Sequence, residues 1–169
     1  MSTSPASIAE INGLDRESFV ARFGGIYEHS PWVAEGAWRA RPFADREALE
    51  RALQDGVIAS GREQQLELLR AHPRLGTRRP LTDYSRAEQQ GAGLMNAAPV
   101  DLGELERLNR DYEARFGFPF ILAVRNATLR QILDSCRARI EHDALAEFDE
   151  SLRQVHRIAR FRLFDMVEP

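Results

Sequence analysis

Few side chains in this 169-residue sequence are placed where they could carry chemistry, and His72 is the first of them. It follows a short apolar stripe, Leu66 and Leu69, and precedes Pro73, which drives the residue before it out of helical geometry. An imidazole at such a junction can be held toward a cleft and exchange protons near neutrality, or it can simply fill the junction. Residue type leaves both roles open. His142 and His156 fall on helical segments among charges, where a solvated or partly packed role suffices. His29, in YEHSPW, reads as a helix-end imidazole that satisfies terminal carbonyls.

Other chemistries lack their residue patterns. There is no HExxH, no Glu-x-x-His and no His-x-x-x-His, so no metal site is expected. The G-x-S-x-G elbow of serine hydrolases is missing, and Cys136 falls on an apolar helical stripe that points to the core. Gly24 and Gly25 lie within a helical pattern and lack the lysine of a phosphate loop. Ser85 and Glu88 form an S-x-x-E capping box, which explains the glutamate structurally and leaves Gln89 to solvent. Arg162 interrupts the apolar FRLF, either snorkelling or turned inward as an anion clamp.

The elements that must position these residues read as helices. Asp15 caps a segment with Phe19, Phe23 and Ile26 on one face. Ser30-Pro31 is a cap followed by proline at the first helical position. Asp45 opens a helix with Leu49, Leu53 and Ile58 inward, and the capping box at Ser85 starts one over Gln89–Leu94. Asp101 and Glu104 begin a helix carrying Leu105, Leu108 and Tyr112, closed by Gly117. Thr128 caps Leu129, Ile132, Leu133, Cys136 and Ile140. Asp143 starts a long helix with Leu145, Phe148, Leu152, Val155, Ile158 and Leu163 inward. Two stretches depart from this habit: Gly76–Tyr84, rich in turn residues, and the apolar FPFILAV of Phe118–Val124. With no second strand to pair with it, the latter is an extended insert. The expectation is an all-α, single compact multi-helix domain over residues 1–169, with residues 1–7 frayed.

Composition narrows the function class. Hydrophobic residues are 43% and charged residues 29%, with a net charge of −3 from 23 basic and 26 acidic side chains. That balance is globular, and it argues against nucleic acid as a partner. The longest apolar run, seven residues, is too short to span a bilayer. One cysteine excludes an internal disulfide, and neither terminus carries a secretory or peroxisomal address. A soluble cytoplasmic protein is expected.

Five blocks together resemble one family. FVARFGGIYEHSPWVAEGAWRARPF, QLELLRAHPRLG, LTDYSRAEQQGAGL, LNRDYEARFGFPFILAVRN and IARFRL occur in that order between Leu14 and Leu163. They are similar to the 2-oxo-4-hydroxy-4-carboxy-5-ureidoimidazoline (OHCU) decarboxylases. Arg74, after the His-Pro pair, stands where an acidic residue is common in such proteins, and the following loop is shorter than in many of them.

The resemblance implies a helical homodimer that uses no cofactor and converts OHCU, a small-molecule substrate, to (S)-allantoin and carbon dioxide. It implies His72 as the catalytic histidine, with Glu88 and Gln89 as its polar partners. Pro73 would flank the histidine, and Ser85, Arg86, Ala87, Glu88 and Gln89 would line the substrate. Phe120, Ile121, Leu122, Ala123 and Val124 would offer main-chain contacts, and Arg162 would bind from the last helix. The alternative is a non-catalytic helical interaction module in which His72, Glu88 and Arg162 serve only as caps and ion-pair partners.

Overall fold

Helix caps set most of the boundaries in the computed structural model of the protein, which describes residues 4–77 and 79–169. Among these residues there are nine α-helices, one 3₁₀ turn and no strand. The fold is all-α, as expected. Asp15, Asp45 and Thr128 each accept from a backbone N–H three residues on, the side-chain cap that replaces a missing helical acceptor. The chain divides into two compact units. One comprises the chain up to Ala71 with His156–Pro169, and the other His72–Val155.

The first unit contains α1 (Ile8–Asn12), α2 (Arg16–Phe23), α3 (Trp32–Trp38), α4 (Arg46–Ala59) and α5 (Arg62–Arg70), together with the C-terminal part of α9 (Ala144–Met166). α3 packs against both α2 and α4. Phe19 and Phe23 are buried with ring centroids 4.8 Å apart, and Leu49, Leu53 and Val57 line the inner face of α4. Ala6 pairs with the chain end: its N–H donates to the Met166 carbonyl at 2.9 Å and its carbonyl accepts from Glu168 at 3.0 Å. Ser7 caps α1. The fraying expected over residues 1–7 therefore does not extend to Ala6 and Ser7, while residues 1–3 lie outside the described ones. His156, with its pKa held below the usual imidazole value by burial, shares a 2.8 Å hydrogen bond with the buried Tyr27 hydroxyl.

The second unit contains α6 (Asp83–Gly91), the 3₁₀ turn (Leu94–Asn96), α7 (Pro99–Phe116), α8 (Leu129–Arg139) and the first half of α9. α7 packs on α8. Gly117 closes α7 in the left-handed region at φ 80°, as its position predicts. Residues 118–124 have no helical or strand assignment, and Phe118, Phe120, Ile121 and Val124 are buried. Tyr112 gathers Phe116, Phe118 and Phe120 around its ring at 4.7, 6.0 and 5.3 Å. Cys136 is buried as expected, and burial pushes its thiol up to about 11.

Several boundaries and faces differ from expectation. The cap of α6 is Thr82, not Ser85. Its hydroxyl accepts from the Ser85 N–H at 3.3 Å, and Ser85 and Glu88 lie inside the helix. The earlier start gains nearly a turn of hydrogen bonds and sets Asp83 at the positive end of the helix dipole. It also takes Asp83 and Tyr84 out of the loop expected over 76–84, within which Arg78 lies outside the described residues. α7 starts at Ala98-Pro99 rather than Asp101, because proline suits the first helical position.

Ser30 does not cap α3; its hydroxyl donates back to the Glu28 carbonyl at 3.0 Å. His29 ends no helix. It sits in a turn at φ 50°, and Gly24 and Gly25 form the exit from α2 rather than part of it. Ile58 and Leu145 are 65% and 60% exposed, since the buried stripes run through Val57 and Phe148 instead.

Thr82→Ala should cost about 1 kcal/mol in urea unfolding, the usual worth of a side-chain cap. A cost indistinguishable from zero would move the start of α6 back toward Ser85.

Candidate active site

His72 lies two residues beyond the end of α5 and is buried. Pro73 follows it, and the next three residues are pinned by side chains from two helices of the second unit. From α6, Gln89 accepts from the Gly76 N–H at 2.8 Å and donates to the Arg74 carbonyl at 3.3 Å. From α7, Asn109 donates to the Leu75 carbonyl at 2.9 Å, and Glu113 pairs with Arg74 at 2.5 Å. Gly76 adopts φ 71°, and a Cβ there would meet Leu105 Cδ2 at 3.0 Å. Glycine suits this turn because of its left-handed conformation, and a larger residue would also need the Leu105 methyl to give way. Arg74 thus has a definite use: its guanidinium bridges the loop to α7.

The start of α6 at Asp83 changes the reading of its candidate residues. Ser85 and Gln89, one turn apart on one face, are buried, and Glu88 is half-buried beside them. A capping role no longer accounts for Glu88, because Thr82 takes that role. Arg86 and Ala87 are exposed, and Arg86 bonds locally to Asp83 and the Leu81 carbonyl. Gln89 is not left to solvent, since both ends of its amide hold the loop after His72. An amide has two donors and two lone pairs, so one of each remains for another partner.

The main-chain segment Phe120–Val124 belongs to the same unit and is held from below by a buried polar network. Arg139 Nη1 donates to the Ile121 carbonyl at 2.6 Å. Its Nε donates to Glu147 at 2.7 Å, its Nη2 to Ser151 at 3.1 Å, and its guanidinium lies 4.7 Å from the centre of the Phe120 ring. Tyr112 donates to the same Glu147 oxygen at 2.5 Å, and His142 meets the other oxygen at 3.1 Å. Burial and the Glu147 hydrogen bond raise the Tyr112 pKa well above the usual phenol value, so it stays a donor.

Arg162 belongs to the other unit. It is 2% exposed, so it does not snorkel. Its Nη1 donates to Glu28 at 2.9 Å and to the Ile26 and Gly25 carbonyls at 3.2 and 3.3 Å. Glu28, itself 1% exposed, is the residue that sequence reasoning missed here. A buried guanidinium needs a carboxylate, but nothing about Glu28 in its turn marked it as that partner. Arg139 carried a faint signal, a cation three residues after Cys136 on an otherwise apolar stripe. Asn109 carried none.

Among the described residues no group of three His, Cys, Asp or Glu side chains is placed to hold a metal ion, and no helix is long and apolar enough to cross a membrane.

The family model described as OHCU decarboxylase matches residues 12–164. A 2-oxo-4-hydroxy-4-carboxy-5-ureidoimidazoline decarboxylase of Haloferax volcanii is 45% identical over 157 residues, 93% of this chain and 94% of that protein. A uric acid degradation bifunctional protein of Bacillus subtilis is 42% identical over 94% of this chain, which covers 32% of its length. Among solved structures, an (S)-allantoin synthase superposes with a TM-score of 0.79 at 32% identity. The alignment covers 96% of this chain and 54% of that one.

Replacing Glu147 with Gln should cost about 3–5 kcal/mol, the usual penalty for leaving one charge of a buried pair uncompensated. Denaturant unfolding measures it. A loss under about 1 kcal/mol would show that Arg139 does not depend on the carboxylate.

Proposed function

The chain belongs to the OHCU decarboxylase family, and on that premise we propose that it decarboxylates 2-oxo-4-hydroxy-4-carboxy-5-ureidoimidazoline to (S)-allantoin and carbon dioxide in urate degradation. The observation that carries the proposal is the match over nearly the whole chain, and the buried His72 beside a loop pinned by Gln89 and Asn109 supports it.

The chemistry is consistent with these residues. Carbon dioxide leaves the ring carbon that also bears the hydroxyl. The electron pair of the broken bond forms a carbon–carbon double bond to the ureido-bearing carbon, and the neighbouring imine nitrogen takes up a proton. The substrate is its own electron sink, so the reaction as proposed needs no cofactor. The resulting enol then loses its hydroxyl proton as the ureido-bearing carbon gains one. Delivery of that proton from a single face gives one enantiomer.

His72 is the proposed proton donor, because an imidazole titrates near the working pH and this one sits on a braced support. Glu88, half-buried on α6 and free of the capping role, would orient or charge the imidazole. Gln89 would hold the loop and lend its remaining donor and acceptor to the ring oxygen or the ureido group. Ser85 and Pro73 would line the substrate, and the main chain of 120–124 would read its amide groups. Arg162, oriented by Glu28, would place the anionic or oxygen-rich end through forked hydrogen bonds. A homodimer in the cytoplasm is part of the same reading, and sedimentation of the purified protein tests the oligomeric state.

Freshly generated OHCU followed by circular dichroism tests the assignment. His72→Ala should slow stereoselective product formation by about 10²–10⁴-fold, the usual worth of a positioned general acid. It should melt close to wild type and leave allantoin drifting toward a racemate. A His72→Ala protein that still yields (S)-allantoin at the wild-type rate would remove His72 from the mechanism. Arg162→Lys keeps the charge but loses the planar fork, so kcat/KM should fall about tenfold or more. Full activity in the lysine variant would reduce Arg162 to a structural partner of Glu28.

A further inference from the structure

A buried, non-helical chain must place its N–H and C=O groups on some partner, and residues 120–124 place two of theirs on side chains. The Ile121 carbonyl accepts from Arg139 on α8 at 2.6 Å, and the Ala123 N–H donates to Gln154 Oε1 on α9 at 3.0 Å. In an extended chain, residues two apart direct their polar groups to one edge and the residue between them to the other. Arg139 and Gln154 therefore occupy the 121/123 edge much as a neighbouring strand would. By that alternation the N–H and C=O of Leu122 fall on the opposite edge. The segment ends where the Val124 carbonyl accepts from the Ala127 N–H at 2.9 Å.

The two holders are themselves fixed. Arg139 is locked by Glu147 and Ser151. Gln154 Nε2 donates to Glu150 at 2.8 Å. A carboxylate only accepts, so Glu150 dictates which end of the amide faces it and turns the oxygen toward Ala123. Burial works to raise the Glu150 pKa, but the hydrogen bonds from Gln154 and Arg153 outweigh it and hold the carboxyl below its ordinary value. It is ionised, and it stays an acceptor.

We infer that Arg139 and Gln154 are positioning residues that fix the register of 120–124 and present the Leu122 edge, not the 121/123 edge, to the substrate. The inference rests on the reading that this chain acts on a ureidoimidazoline. Such a ring alternates N–H and C=O groups and pairs with the N–H and C=O of one extended residue as an added strand would. A slip of one residue would exchange the two edges and lose that pairing.

Gln154 and Glu150 are only partly buried, so their variants are suited to the test. Gln154→Met keeps length and bulk without the acceptor, and Gln154→Glu sets two carboxylates against each other. Each should speed exchange of the Ala123 amide and raise KM roughly three- to tenfold, the worth of one hydrogen bond, with kcat within about twofold. The double variant Glu150→Gln/Gln154→Glu restores a donor facing an acceptor at the same net charge, and it should return both quantities to near wild type. An unmoved KM in the single variants, an unmoved Ala123 amide, or a double variant no better than Gln154→Glu alone would each overturn the inference. A general loss of packing would lower the melting temperature and would not be repaired by the swap. A wild-type protein that does not speed allantoin formation removes the functional reading and the substrate edge together. An active wild type with an unmoved KM in the variants overturns the edge alone.

Discussion

A guanidinium taken out of water is tolerated only when its donors find acceptors and its charge finds an opposite charge, and Arg139 meets both conditions within one unit of this protein. Glu147 neutralises it, Ser151 takes a second donor, and the Ile121 carbonyl takes a third. Such a pair contributes little net stability compared with a well-packed apolar cluster. What it contributes is position. The same atoms that satisfy Arg139 tie α7, α8 and α9 to the segment 120–124, because Tyr112 on α7 shares the Glu147 oxygen. The surrounding Phe116, Phe118 and Phe120 keep water away and hold these bonds at low dielectric.

The loop after His72 is built on the same logic with weaker parts. Three backbone groups, of Arg74, Leu75 and Gly76, are bonded to the neutral amides of Gln89 and Asn109, and one ion pair at half-exposed positions joins Arg74 to Glu113. In the other unit, Arg162 repeats the buried-guanidinium solution with Glu28 and two turn carbonyls. The loop after His72 and the segment 120–124 are thus each fixed by side chains from elsewhere in their own unit, the arrangement expected of preorganised groups.

The all-α class was legible because most helices carry local signals: aspartate or threonine caps, a glycine C-terminus, and apolar stripes at helical spacing. The start of α6 was misread because Thr82 and Ser85 are both good caps three residues apart, and only the tertiary structure decides between them. That slip mattered for function, since it supplied Glu88 with a structural duty it does not have. His72 was legible through Pro73, which breaks the helix at a predictable place. Gln89 as a loop clamp, Glu28 beneath Arg162, and Arg139 with Gln154 beneath residues 120–124 were not. Each acts on partners 13 or more residues away in sequence, a distance over which periodicity and capping patterns carry little information.

The roles proposed for these residues all depend on one reaction, removal of carbon dioxide from OHCU with delivery of a proton to one face of what remains. Running the wild-type protein on freshly generated OHCU in heavy water, and recording the rate, handedness and deuterium content of the product, tests it most directly. (S)-Allantoin carrying one deuterium at the ureido-bearing carbon should form faster than in a protein-free control. Racemic allantoin formed at the rate of the control would contradict it.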